Sequence, residues 1–185
     1  MVRKELLLST DLNHAVVAYL IKKYAEISKI KLGRTILQKL CYFAKSHGVP
    51  LPFRFEIYHY GPFSQEIFET TEDLIVDEVL SNQSSDPGVS HYVPGPKCEV
   101  LLHQFEDALA KYRGILDTVA DTFSELSPSQ MELVSTIHYI HSSSRKKAPS
   151  KSEVVDTVYE IKKPKFDREF VDKVYDVLLG ATLLD

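Results

Sequence analysis

Two histidines three residues apart, His138 and His141, come closest in type and spacing to a catalytic or metal site. On a helix both could reach the same metal ion. No HExxH motif accompanies them, and no Asp or Glu lies three or four residues from either histidine. The pattern therefore favours structural histidines, and we expect no metal site.

Other catalytic patterns are weaker still. The cysteines, Cys41 and Cys98, form no CxxC pair, and Cys41 lies on an apolar helix stripe without a nearby base. The seven glycines form neither GxGxxG nor GxxxxGK[ST], the usual phosphate-binding loops. We therefore expect no catalytic residues, no cofactor and no enzymatic activity.

The chain has 185 residues, of which 44% are hydrophobic, enough to bury a core in one domain or in two small lobes. Its longest apolar run, Ala15 to Ile21, is far shorter than the roughly 18 to 20 residues of a membrane span. The apolar residues near Met1 stop too early for a secretory signal. We expect a cytoplasmic protein that does not enter a membrane.

Hydrophobic periodicity predicts a mainly α fold with a short β element. A first helix should end near Ile27, and a second should carry an apolar stripe that leaves Gln38 and Lys39 pointing away from the core. The alternation from Phe53 to Tyr60 predicts a half-buried strand, and Pro62 fits the first turn of a third helix.

The second half of the chain should contain a hairpin or wing-like loop near residues 82–93 and one bent helix or two over residues 101–123, with Gly114 as a possible break. Capping boxes at Ser127 and Ser150 predict helix starts. We predict a first helical domain over residues 1–126. A trihelical, helix-turn-helix-like lobe over residues 127–185 should pack on it as one unit.

Two short blocks resemble a known family. The helix block runs from Gly33 to Tyr42 and includes Leu-Gln-Lys-Leu, and the second block is the Tyr-Gly-Pro-Phe-Ser sequence of residues 60–64. Their order is similar to that of the Panacea-domain family, which includes YwgA-like and SocA-type antitoxin proteins. The resemblance is specific over about residues 31–75, whereas residues 127–185 do not align clearly with the family.

The resemblance implies a non-enzymatic helical module, often encoded beside a toxin gene, that binds and neutralises a protein partner. One branch of the family acts as a proteolytic adaptor, so the partner could be a toxin or a protease. We expect four residues to form or support a groove for the partner, because aromatic side chains supply large contact areas: Lys39, Tyr42, Tyr60 and Phe63. The alternative is that both blocks only maintain the fold.

A second functional hypothesis is a helix-turn-helix-like DNA-binding transcriptional regulator. Its phosphate contacts would come from basic residues of the last lobe, namely Arg145, Lys146, Lys147, Lys165 and Arg168. Four acids on the last predicted helix oppose this hypothesis, because they would repel a phosphate backbone that they faced: Asp167, Glu169, Asp172 and Asp176.

Overall fold

The fold, described by a computed structural model for residues 6–144 and 149–184, is mainly helical. Within those residues, nine helices and two small antiparallel hairpins confirm the predicted mainly α fold with minor β structure. The first half contains α1 (Leu12–Ile27), α2 (Arg34–Ser46), β1 (Glu56–Tyr58), β2 (Gly61–Phe63), α3 (Gln65–Val76), β3 (Leu80–Asn82) and β4 (Tyr92–Pro94). The second half contains α4 (Cys98–Gln104), α5 (Glu106–Ala110), α6 (Arg113–Phe123), α7 (Pro128–Ser142), α8 (Lys151–Lys162) and α9 (Arg168–Gly180).

Helix α1 is the central element of the core. Its apolar run from Ala15 to Ala18 is fully buried, because α2, α3, α4 and α6 all pack against the helix. A helix with apolar residues on all sides is stable only when neighbours cover each side. The short apolar run is therefore a core helix, and no helix in the described parts of the chain is long and apolar enough to span a membrane.

Helix α7 joins the last helices to the rest of the core. It packs against α2 and β2 on one side and against α8 and α9 on the other. The capping boxes predicted at Ser127 and Ser150 are both present. Each serine side chain accepts a hydrogen bond from the backbone amide of the residue three positions later. These local signals fix where α7 and α8 begin, and tertiary packing then buries their apolar faces.

The predicted strand and the role of Pro62 were partly wrong. Only Glu56–Tyr58 forms a strand, because its partner β2 is just three residues long. Pro62 lies within β2 opposite Ile57, rather than in the first turn of a helix, and Ser64 is the N-cap of α3. Proline is tolerated there because each strand of a two-stranded sheet has a free edge.

The region from residue 98 to 123 contains three helices rather than one or two. The breaks fall at Phe105 and at Lys111–Tyr112, and Gly114 lies inside α6. The predicted hairpin after α3 is present, with β3 and β4 paired from Leu80 to Asn82. Its second strand begins at Tyr92, near the end of the predicted segment, and most of the loop between the strands is exposed.

Candidate functional site

The two blocks that carry the family resemblance contact each other directly. The side chain of Gln38 forms two hydrogen bonds with the backbone of Ser64: its Nε2 donates to the carbonyl at 2.9 Å, and its Oε1 accepts from the amide at 2.9 Å. A side-chain amide that satisfies both backbone groups of a residue fixes that residue's position and orientation. Helix α2 thus holds the end of β2.

Lys39 forms the second connection between α2 and the hairpin. Its Nζ donates to the Pro62 carbonyl at 2.8 Å, and the residue is only 2% exposed. Burial, assisted by the charge of Lys162, lowers the Lys39 pKa to about 7, and Glu132 opposes the shift. Among the described residues, no carboxylate lies within 4.0 Å of this amine. The prediction that Gln38 and Lys39 point away from the core is therefore wrong, because both bind the backbone of β2 and of the residue after it.

Glu132 of α7 provides the buried negative charge beneath the hairpin. Its carboxylate, 3% exposed, lies 2.9 Å from the Lys162 amine and 2.5 Å from the Lys165 amine. Lys162 also donates to the His59 carbonyl at 3.0 Å, in the turn between β1 and β2. Burial lowers the Lys162 pKa, and the hydrogen bond to Glu132 opposes that effect. We call Lys39, Glu132, Lys162 and Lys165 the lysine–glutamate cluster.

The hairpin also packs tightly against the backbone of α7. Gly61 has a positive φ of 88°, a conformation that side chains other than glycine rarely adopt. A Cβ at this position would lie 2.8 Å from the Thr136 hydroxyl and 3.2 Å from the Glu132 carbonyl oxygen. Glycine is therefore required at this turn both by backbone conformation and by space.

The opposite side of the hairpin exposes aromatic rings. Tyr58 and Tyr60 are 59% and 61% exposed, and Phe63 is half-buried with its ring centroid 5.7 Å from that of Tyr58. The Lys165 amine lies 5.7 Å from the centroid of the Tyr60 ring. We call Tyr58, Tyr60 and Phe63 the aromatic hairpin surface. Large exposed aromatic side chains on a fixed backbone are typical of protein-binding sites.

Two cavities flank this surface. A basic cavity of about 530 Å³ lies between the start of α2 and the β3–β4 loop, and its lining includes Lys31, Arg34, Tyr60, Ser84, Asp86 and His91. A mixed-charge cavity of about 630 Å³ is lined by Arg54, Glu56, Tyr58, Phe63, Gln65 and Glu66. Both tyrosines therefore stand beside a concave surface.

The four residues predicted for partner binding occupy different positions. Tyr60 is exposed and Phe63 half-buried, so both can contact a partner, whereas Lys39 and Tyr42 are buried. The Tyr42 hydroxyl lies 2.7 Å from Nδ1 of His138, and this contact joins α2 to α7. Lys39 and Tyr42 can support the site from inside but cannot line it.

Sequence reasoning missed Tyr58 as a surface residue and Glu132 and Lys162 as buried supports. The alternation of the Phe53–Tyr60 segment contains the signal for Tyr58, because it shares the polar side of the strand with Arg54 and Glu56. The burial of Glu132 and Lys162 has no local signal. It depends on contacts with each other and with the hairpin turn.

The residues of the DNA-binding hypothesis divide into two groups. Lys165 is paired with Glu132, and the Arg168 Nε donates to an Asp156 carboxylate oxygen at 2.6 Å. Arg145, Lys146 and Lys147 lie outside the described residues. The two described cations therefore already have carboxylate partners, which reduces their attraction for phosphate.

The cysteine and histidine side chains that were considered for catalysis are buried or hydrogen-bonded within the fold. Burial raises the pKa of the Cys41 thiol, which disfavours the reactive thiolate. Burial lowers the His138 pKa to about 4, with smaller contributions from His47 and His141, so this ring is neutral at pH 7. His141 Nδ1 lies 3.1 Å from the Tyr175 hydroxyl. Among the described residues, no group of three or more His, Cys, Asp or Glu side chains is arranged to hold a metal ion.

Comparison of the chain with protein-family models gives no match. A search of curated protein sequences likewise finds no similar protein.

Proposed function

We propose that this protein is a non-enzymatic protein-interaction module that binds and neutralises a protein partner, in the manner of an antitoxin or a proteolytic adaptor. The observation that carries the proposal is the aromatic hairpin surface, two exposed tyrosines on a backbone fixed from beneath. The resemblance of the Gly33–Tyr42 and Tyr60–Ser64 blocks to the Panacea-domain family supports the same function.

The rigid support of the hairpin is favourable for binding. Association loses the freedom of every side chain and loop that becomes ordered, so a surface ordered in advance binds more tightly. The hairpin and the residue that follows it are held by Gln38 and Lys39 of α2 and by Lys162 of α8, which in turn is bonded to Glu132 of α7. Tyrosine adds contact area with few rotatable bonds.

The decisive experiment is affinity capture from native-host lysate at low salt, with mass spectrometry for proteins and an absorbance scan for nucleic acid. We expect the wild-type chain to retain one stoichiometric protein, and the double variant Tyr58→Ala/Tyr60→Ala to lose it. Phe170→Ala is the matched control, because Phe170 is an exposed aromatic residue on α9, 45% accessible.

Three results would contradict the proposal: no stoichiometric protein, equal capture by the double variant, or equal loss in the Phe170 control. Co-purifying DNA that washes off with salt would instead favour the regulator hypothesis, because phosphate contacts weaken steeply as ionic strength rises. Thermal unfolding of each variant checks that the fold is retained. Both tyrosines are exposed, so we expect their removal to change stability by less than about 1 kcal/mol.

A further inference from the structure

We propose that the basic cavity beside Tyr60 binds an acidic segment of the protein partner. This inference rests on the proposed function and specifies the chemistry of the partner. It follows from the charges that line the cavity, from the charges beneath the hairpin, and from the different composition of the cavity on the other side of Tyr58.

The cavity carries two cations that lack carboxylate partners. Within residues 6–144 and 149–184, no Asp or Glu oxygen lies within 4.0 Å of the Lys31 amine or the Arg34 guanidinium. Arg34 is instead positioned over the Phe68 ring, 5.3 Å from its centroid. Asp86 is the one acidic residue in the lining, and it is exposed on the β3–β4 loop. Lysine and arginine therefore outnumber acids at this surface.

The lysine–glutamate cluster adds positive charge beneath the same surface. Glu132 offsets one of its two paired lysines, Lys162 or Lys165, so this part of the cluster keeps one excess positive charge. Lys165 is the member of this pair that reaches the surface, because its side chain is 44% exposed whereas that of Lys162 is buried. Tyr60 lies between this excess charge and the cavity, with the Lys165 amine 5.7 Å from its ring centroid.

The positive character is confined to one side of the hairpin. The mixed-charge cavity beside Tyr58 and Phe63 contains Glu56 and Glu66 together with Arg54. The chain as a whole has a formal net charge of −4. An acidic segment would thus be attracted to the Tyr60 side and repelled by much of the remaining surface, which gives orientation as well as affinity.

A protein segment fits these observations better than a nucleic acid. A phosphate backbone requires a series of available cations. In residues 149–184, however, every Lys and Arg side chain has a carboxylate partner. Those residues are Lys151, Lys162, Lys163, Lys165, Arg168 and Lys173. The basic cavity offers two available cations next to an aromatic ring, a combination suited to one or two carboxylates and an apolar side chain.

The test uses the full chain and fluorescence anisotropy at low salt. The probe is a fluorescein-labelled 12-residue peptide with four Glu and two Leu in a Gly/Ser background, and its counterpart has Gln at the four Glu positions. We expect the Glu peptide to bind at least tenfold more tightly than the Gln peptide. Lys31→Glu/Arg34→Glu should abolish that preference. The matched control, Lys111→Glu/Arg113→Glu, changes the net charge equally on exposed residues near α6 and should retain it.

Equal binding of the two peptides, absence of binding, or equal loss of preference in the control would overturn the inference. Tighter binding of a 12-nucleotide single-stranded DNA than of the Glu peptide would also overturn it, in favour of a nucleic-acid surface. The outcome is separable from that of the proposed function. If partner capture depends on Tyr58 and Tyr60 but the peptides bind equally, only the acidic-segment inference fails.

Discussion

The buried Lys39 amine makes a quantitative prediction about stability and pH. Its pKa is about 7 in the folded chain, against 10.5 for a lysine in water. Between these values the unfolded chain binds more protons than the folded chain, so stability rises as pH increases. This is the reverse of a lysine that gains an ion-pair partner on folding. Below pH 7 the amine is charged in both states, and the penalty for burying the charge is fully present.

The size of the effect follows from linkage. With pKa values of 7 and 10.5, the wild-type free energy of unfolding should rise by about 2 kcal/mol between pH 7 and pH 9 because of this one group. Lys39→Met keeps the length of the side chain and removes the titrating amine. The difference in unfolding free energy between wild type and this variant should therefore increase by that amount over the same range.

Urea unfolding at half-unit pH intervals measures this difference, because groups common to both chains largely cancel. Lys29→Met is the control for the general effect of losing a lysine, since Lys29 is exposed. A difference that stays constant from pH 7 to pH 9 would refute the reasoning. It would mean that the folded chain stabilises the Lys39 ammonium as well as water does, despite its burial.

Three further predictions concern the residues around the hairpin and the start of the chain. Gly61→Ala should destabilise the protein by about 2 to 4 kcal/mol in urea unfolding, because the added Cβ clashes with α7 and the backbone is strained. Gly88→Ala has the same type of strain but open space around it, so it should cost about 1 kcal/mol; equal effects of the two variants would contradict the packing argument. Glu132→Gln should cost about 3 to 5 kcal/mol by the same measurement, whereas Asp156→Asn, which removes an exposed ion pair, should have a much smaller effect. Equal effects of the two variants would show that the cluster does not need its buried carboxylate. The buried Asp77 carboxylate accepts hydrogen bonds from the backbone amides of residues 7–9, and these bonds outweigh burial, so the Asp77 pKa is lowered. Asp77→Asn should therefore cost about 1 to 3 kcal/mol at pH 7, and its difference from wild type should shrink as pH falls below about 4; a difference independent of pH would argue against this role of the carboxylate.

The elements that sequence predicted well are those with local signals. The helix starts at Ser127 and Ser150 follow from side chains that bond to amides three residues away, so the information lies in four consecutive residues. The buried helix α1 follows similarly from an apolar run. The positions of these helices are decided within one element, whereas their stability depends on tertiary packing.

The supports of the candidate site were not predictable in this way. Lys39 bonds to a carbonyl 23 residues away, and Glu132 to lysines 30 and 33 residues away. A lysine on the border of an apolar stripe normally extends to solvent, because burying its charge is unfavourable. That preference is reversed only because the hairpin backbone places the Pro62 carbonyl within reach of the amine. No local sequence pattern predicts where that backbone lies.

This placement gives the Gln38–Lys39 pair a physical role that stability alone does not explain. An apolar residue in place of Lys39 would avoid the penalty of burying an amine, but it would leave the Pro62 carbonyl without its donor. A hydrogen bond has a direction that apolar packing lacks, so the amine sets where the strand carbonyl points. Because β2 is only three residues long, the orientation of Pro62 also determines that of the adjoining turn, where Tyr60 is exposed. The buried polar contacts therefore exchange some stability for a defined orientation of the aromatic hairpin surface, which the proposed partner binding would use.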